Sequence, residues 1–386
     1  MATEEMGELL KQHRWGRVRR ILVAIALVCA LALFLWVQYK NRVFTEMSDV
    51  AVANRHAITG TADVIVGTNL VTFGNDGAAC MDSKGKALWN QTFEMQNPMM
   101  ANCGKTIAFA DYNGREVYVM NDEKILGDFT TNMPIRRICV SENGVILTVQ
   151  EDTKVTWIYL YDATGKELVY FSTRMQNTGY PTALSLSPDA KLVSVGYTYP
   201  ESGALKSRVA FYNFGDVGEN EIDHLVSGYN YSDTFVPYVQ FMNKSTAFAL
   251  ADNRFMIYAG SEVPEVKKEW LLDKEVLAVH YSEDYVGLIF YNEGTDAMYR
   301  IKVYNTSGDE VLSLPLPFTG IADVKVVFDE NSLTLYNEKS MYVYDMSGRQ
   351  KYEGSFDRSV RVLKSGAKHF QYILATTDSF ETVELK

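Results

Sequence analysis

The feature that most constrains this chain is a hairpin motif that returns along almost its whole length. Ala79-Cys-Met-Asp-Ser-Lys-Gly-Lys-Ala-Leu-Trp89 aligns with Ile158-Tyr-Leu-Tyr-Asp-Ala-Thr-Gly-Lys-Glu-Leu168. Ile301-Lys-Val-Tyr-Asn-Thr-Ser-Gly-Asp-Glu-Val311 and Met341-Tyr-Val-Tyr-Asp-Met-Ser-Gly-Arg-Gln-Lys351 repeat the pattern. Each copy is a β-branched or aromatic strand, an Asp or Asn, two residues, a Gly and a second strand. The Asp or Asn side chain bonds back to the turn backbone and the Gly accepts positive φ, which is how a tight hairpin is written in sequence. Weaker copies occur at Tyr118–Asn121, Ala210–Asn213 and Met256–Ala259. The turn positions 82, 121, 162, 213, 259, 305 and 345 are 39 to 51 residues apart, the length of a four-stranded unit of ~40–50 residues arranged radially about an axis.

The other two strands of each unit are also legible. Ile138–Val149, Ala183–Val195 and Val324–Leu335 each read as strand, tight turn, strand, and supply the inner A–B hairpin to the outer C–D hairpin of the motif. Parallel β-helices have shorter repeats without paired hairpins, and no helical periodicity is present beyond residue 47. After the seventh unit, Val360–Leu363, Phe370–Thr376 and Glu381–Leu385 supply three strands and no fourth. A strand-like stretch at 50–58 stands unassigned at the other end. Pairing the two would close the ring and remove two sheet edges. The expectation is an all-β, eight-bladed propeller over 50–386 closed by strand 50–58. A seven-bladed ring with 359–386 as a decoration is the alternative.

Ahead of the repeats, residues 21–37 are seventeen apolar residues without a charge. With Gln38 and Tyr39 they approach the ~20 residues that cross ~30 Å of hydrocarbon, and Trp36 and Tyr39 suit an interfacial belt. Lys11, Arg14, Arg17, Arg19 and Arg20 lie upstream, against only Lys40 and Arg42 just downstream. The positive-inside bias predicts a cytoplasmic tail 1–20, a transmembrane helix 21–39, a linker 40–49 and an extracytoplasmic domain. No small-residue cleavage site follows, so an uncleaved signal anchor at the cell membrane is expected. Seven of the 37 basic and three of the 48 acidic residues precede residue 43, leaving the repeat domain with about fifteen net negative charges. Such a surface repels nucleic acid. Cys80, Cys103 and Cys139 are an odd number without Cys-x-x-Cys spacing, and are read as buried thiols.

The Tyr-Asp-x-x-Gly-Lys-Glu-Leu pattern resembles quinoprotein-like and WD40-like propellers, including outer-membrane assembly lipoproteins of the bacterial envelope. The whole chain is also similar to a family of single-pass membrane propeller proteins from Gram-positive, clostridia-type bacteria. Quinone-binding propellers carry Asp-x-x-Thr-Gly-x-x-x-Trp, whose Trp docks neighbouring blades. Here the Asp-to-Gly spacing is one residue shorter and only Trp89 stands at that docking position, with Val169 in the third unit. The resemblance thus implies a binding or assembly propeller without cofactor, and fold alone does not settle function.

Chemistry is sparse. His56, His224, His280 and His369 are isolated and lack metal-ligand spacing. No nucleophile elbow, dinucleotide fingerprint or phosphate loop occurs. Asp189, Glu283, Asp284, Asp329 and Glu330 are the acids placed to converge on a channel as a glycosidase pair, but all sit in A–B turns where turn-forming explains them. Met95–Met100 is read as a loop packed against the first two blades. No enzymatic activity, metal or cofactor is expected.

Loop length is the clearest functional signal. The A–B and C–D turns, on one face, read as uniformly short. On the opposite face the fourth unit has a B–C loop at 197–206 and a D–A connection at 226–235, and the sixth adds Tyr291–Met298. These place Tyr197, Tyr199, Tyr229, Tyr231, Phe235 and Tyr291 on one candidate binding face. Long loops on a rigid scaffold carry function, and tyrosines suit a wet interface or sugar stacking. The closing strand would begin on the short-turn face, so the loop face would point away from the bilayer. The expected role is an envelope scaffold that binds a partner protein or wall polymer. The alternatives are an extracytoplasmic sensor of a small ligand or glycan and, more remotely, a hydrolase.

Overall fold

The computed structural model describes residues 15, 19, 20, 22–34, 37, 38, 41–152, 155–175, 178–201, 203–293 and 297–386. It divides into two units, Met1–Phe44 and Thr45–Lys386. In the first, residues 22–34 are helical and the apolar side chains of Leu22, Ile25, Leu31 and Leu33 are exposed. Residues 21, 35, 36 and 39 of the anticipated span lie outside the described residues, and among the described residues no helix is long and apolar enough to cross a membrane.

The second unit consists of eight antiparallel sheets of four strands. Blades 1 to 7 occupy residues 62–92, 98–130, 135–173, 180–231, 238–271, 276–315 and 325–355. Blade 8 joins Val360–Ser365, Gln371–Thr376 and Ser379–Leu385 to Met47–Asn54. The ring therefore has eight blades, not seven. The closing strand starts three residues earlier than the pattern suggests, because its pairing runs to the C-terminus: Met47 faces Leu385 and Asn54 faces Ser379. Thr45 N–H and Glu46 N–H both donate to the Lys386 carbonyl, at 2.9 and 3.1 Å.

The sequence makes these strands for identifiable reasons. The second strands lie between neighbouring sheets and are buried on both faces, as in Thr106–Asp111 and Ser332–Tyr336. They are apolar almost without interruption, and small residues such as Ala108, Ala110, Ala247 and Ala249 let the sheets approach. The turn acids act as their spacing implies. Asp82 Oδ1 accepts from the Lys84 and Lys86 N–H groups, each at 2.9 Å. Asp162, Asn305 and Asp345 do the same in their own turns. Gly165, at φ 86°, shows why the motif ends on glycine: a Cβ there would meet Phe129 Cβ at 2.4 Å.

Neighbouring blades are stitched by side chains donating to turn carbonyls of the next blade. Asn69 reaches Asp122 O (2.7 Å), Thr106 reaches Glu142 O (2.8 Å), Asn213 reaches Glu262 O (2.9 Å) and Asn243 reaches Glu283 O (2.8 Å). Trp89 Nε1 donates to Asn121 O at 2.8 Å. Trp270 Nε1 makes the same kind of contact with Gly308 O at 2.8 Å. Trp89 is thus not alone in docking blades, and Trp270 escapes the motif because it stands further from its turn. Met95 is buried with Trp89, Phe93 and Phe109 between blades 1 and 2.

The seam where blade 8 meets blade 1 carries a buried ionic cluster. Asp63, fully buried, takes a two-pronged contact from Arg55 at 2.9 and 2.6 Å, a third from Arg361 Nε at 2.6 Å and a fourth from Thr72 Oγ1 at 2.6 Å. Arg55 follows the closing strand, Asp63 and Thr72 lie on the first two strands of blade 1 and Arg361 on the innermost strand of blade 8, so the full cluster forms only when the ring is closed.

Candidate functional site

One blade departs from the common plan. In blade 4 the second and third strands, Leu192–Glu201 and Ala204–Asn213, pair over ten residues each, from Leu192–Asn213 to Glu201–Ala204. The segment 197–206, expected as a loop, is therefore the projecting end of a β-hairpin. Alternation of Val193, Val195 and Tyr197 continues the inward face of the strand, while Tyr199 lies past its buried part. Gly203, at φ 81°, makes the tip. The C–D connections are not uniformly short either. In blade 4, residues 214–224 form an excursion with two 3₁₀ turns, Gly218–Asn220 and Ile222–His224.

This geometry re-sorts the six residues placed on the loop face. Tyr197 is fully buried, its hydroxyl 2.8 Å from that of Tyr212, and burial holds its ionisation well above the usual tyrosine range. Tyr231 is buried in the same way, 2.8 Å from the Tyr258 hydroxyl. These two are core residues with satisfied hydroxyls and are not part of a binding surface. Tyr229 is half-buried and donates to Pro264 O of blade 5 at 3.0 Å. Tyr199 is half-buried under the Arg208 guanidinium, 5.6 Å from its ring centre. Phe235 and Tyr291 are exposed.

Two further residues share the surface around the hairpin. Leu205 is 66% exposed next to the tip, and Tyr180, which borders Thr198 across the sheet, is 40% exposed. Val236 N–H donates to Ser207 Oγ at 3.2 Å, which keeps the D–A connection bearing Phe235 against the hairpin base. Leu205 and Tyr199 thus stand on opposite faces of the projecting hairpin, Phe235 lies beside its base, and Tyr180 at its flank donates its hydroxyl to Glu151 Oε1 of blade 3 at 2.7 Å. The hairpin's charges, Arg208 bound to Asn230 at 2.6 Å and Lys206 paired with Glu201, are locally engaged. A separate row on blade 3, Trp157, Tyr159 and Tyr170, has ring centres 5.3 to 6.1 Å apart, with Tyr170 exposed. The period of two at Trp157, Tyr159 and Tyr161 is the sequence signal for it.

The central channel is a cavity of about 840 Å³ walled by the innermost strands of seven blades. Glu283, Asp284, Asp329 and Glu330 line it, together with Glu142 and the single amine of Lys364, whereas Asp189 does not. Their bonds are those of turns. Asp189 accepts from Ser187 Oγ at 2.7 Å, and Asp329 accepts from Glu330 N–H at 2.9 Å and stands 3.3 Å from His369 Nδ1. Lys364 Nζ donates to Gly67 O at 3.2 Å, and burial lowers its basicity. Cys103 and Cys139 also line the channel, each pushed up to about 11, chiefly by burial. Among the described residues, no group of three or more His, Cys, Asp or Glu could hold a metal ion.

The model of a family of unknown function (DUF5711) matches residues 40–385. No curated protein matches the chain. Among solved structures, apo AztD from Citrobacter koseri is 9% identical with a TM-score of 0.53, covering 82% of this chain and 95% of that one. BamB from Moraxella catarrhalis is 10% identical with a TM-score of 0.48, covering 88% and 99%. The WD40 domain of Neurospora crassa Pan2 is 13% identical with a TM-score of 0.43, covering 75% and 88%. At these identities the likeness is one of fold alone.

Proposed function

We propose, for a chain that belongs to the DUF5711 family of unknown function, that it is a protein-interaction scaffold: a propeller that presents the blade 4 hairpin to a partner. The carrying observation is that hairpin, a two-stranded projection with Leu205, Tyr199, Tyr180 and Phe235 at or beside it. A surface built on paired strands loses little entropy on docking, and exposed aromatic and aliphatic side chains supply the area a hot spot needs. We further propose that segment 21–39 anchors the chain in the cell membrane with the propeller outside, and that the partner is an envelope protein or wall polymer. The apolar run, the upstream basic residues and the outward apolar side chains of helical residues 22–34 support that reading. Protease added to intact protoplasts tests it: degradation of the propeller agrees, and protection reverses the orientation.

The test of the scaffold is co-purification from native membranes with Leu205→Asp and Phe235→Asp. Both sites are exposed, so the melting temperature should stay within the range of ordinary surface changes while the partner is lost. A partner retained by both variants removes the hairpin from the account. The channel favours a second reading, as a receptor for a small molecule, because about 840 Å³ lies within the ~300–1,000 Å³ of ligand sites. A metabolite and glycan screen that raises the melting temperature of the protein would favour it, and a screen without any rise would count against it.

A further inference from the structure

A second pocket, of about 170 Å³, lies in the groove between blades 5 and 6, away from the blade 4 hairpin and the channel. Strand Tyr299–Asn305 supplies its polar side. Arg300, Lys302 and Tyr304 alternate along that strand and line the pocket, while Ile301 and Val303 turn into the core shared with blade 7. Trp270, Phe290 and Tyr291 supply an apolar wall.

The guanidinium is held by neutral acceptors. Arg300 Nε donates to Asn292 Oδ1 at 3.3 Å and Nη1 to Ser313 Oγ at 3.0 Å. No carboxylate forms an ion pair with it among the described residues. Lys302 Nζ is ion-paired with Glu310 at 3.6 Å and sits 5.8 Å from the Phe290 ring centre, which places a second cation beside Arg300. The Tyr304 hydroxyl, pushed up to about 12 chiefly by burial, remains a donor at neutral pH. Lys274 also lines the groove, so three cations face the two carboxylates of Asp273 and Glu310, a local positive excess in a domain with about fifteen net negative charges.

We propose that this pocket binds a carboxylate carried on a flat apolar body, with the acid on Arg300 and Lys302 and the body against Trp270 and Phe290. A planar guanidinium fixed at two of its nitrogens presents its remaining N–H groups in the fork that matches a carboxylate. The volume is below that of sites for drug-sized ligands, so the ligand is a fragment: a single-ring acid or the C-terminal aromatic residue of a peptide. This inference stands apart from the scaffold reading, because its residues lie on different blades.

The test uses the full chain with ¹⁵N-labelled tryptophan, whose five tryptophans supply the indole N–H signals; Trp270→Phe assigns the reporting one. Benzoate should shift the Trp270 signal saturably, whereas benzyl alcohol and inorganic phosphate should not. Arg300→Gln should weaken benzoate about ten- to hundredfold, the loss expected for a charge-assisted hydrogen bond, and Lys302→Gln severalfold. The other indole signals report whether each variant is folded, and Lys302→Gln decides the matter if Arg300→Gln is not. A phenylalanine-terminated peptide that binds more tightly than benzoate, and loses binding when its C-terminus is amidated, would identify a peptide source. Benzoate binding more tightly than that peptide would identify a free acid. An unmoved Trp270 signal, an equal response to benzyl alcohol or phosphate, or benzoate affinity unchanged in both variants would overturn the proposal.

Discussion

Replacing Asp63 by Asn should open the ring at one place. The substitution keeps shape and removes the only carboxylate in the seam cluster, leaving Arg55, 5% exposed, and Arg361, 24% exposed, facing a neutral amide. Breaking a buried pair by removing one partner costs about 3–5 kcal/mol, because the remaining charge stays desolvated. Arg361 can turn to water, so most of the penalty falls on Arg55. For a unit of this length the loss corresponds to roughly 4–7 °C in melting temperature. Arg361→Gln, which leaves the Arg55–Asp63 contact intact, should cost only about 1–2 kcal/mol. Calorimetry measures the two shifts, and hydrogen exchange locates them: amides of Met47–Asn54 and Ser379–Leu385 should lose protection before those of blades 3 to 6. Equal shifts for the two variants, or protection lost uniformly around the ring, would refute the reasoning that this cluster holds the closure.

Tyr197→Ala should destabilise the protein by about 3–5 kcal/mol through a core cavity and an orphaned Tyr212 hydroxyl, whereas Tyr199→Ala should cost about 1 kcal/mol or less, as surface substitutions do; thermal melts compare them. Burial pushes the His280 imidazole down to about 4, so the folded protein keeps it neutral where an unfolded chain, near 6.5, takes a proton. Stability is therefore lost as pH falls from about 6.5 to 4, by up to about 3 kcal/mol, and His280→Gln should flatten that part of a denaturation-versus-pH series. Cys80, pushed up to about 12 chiefly by burial, should resist iodoacetamide at neutral pH in the folded protein and react in urea, as read by mass spectrometry.

The blade count and the closure were legible because turn chemistry is local. Asp82, Asp162, Asn305 and Asp345 bind their own turns, so the motif needs no tertiary knowledge to be recognised. The shortage of one strand at the C-terminus, matched by a surplus strand before the first unit, then dictates closure. The blade 4 hairpin is not legible as strand because Pro200 and Gly203 interrupt it, the residues that ordinarily mark loops. Parity held the missing information: Tyr197 follows Val193 and Val195 on the same face, so a strand carried past Gly196 must bury it. The Arg55–Asp63–Arg361 cluster was invisible for another reason. Its members are 8 and 298 residues apart and are brought together only by the ring. The pocket at Arg300 is hidden likewise, since half its wall belongs to the preceding blade.

The most direct test of the scaffold account places a photo-activatable cross-linker at Leu205, beside the hairpin tip, and as controls at Leu168 on blade 3 and Ile222 on the opposite side of blade 4, all exposed. After irradiation in intact cells, the account predicts one discrete adduct at Leu205 that Phe235→Asp abolishes, and none of that mass at the control positions. Adducts of equal yield at all three positions, or none at Leu205, would contradict it.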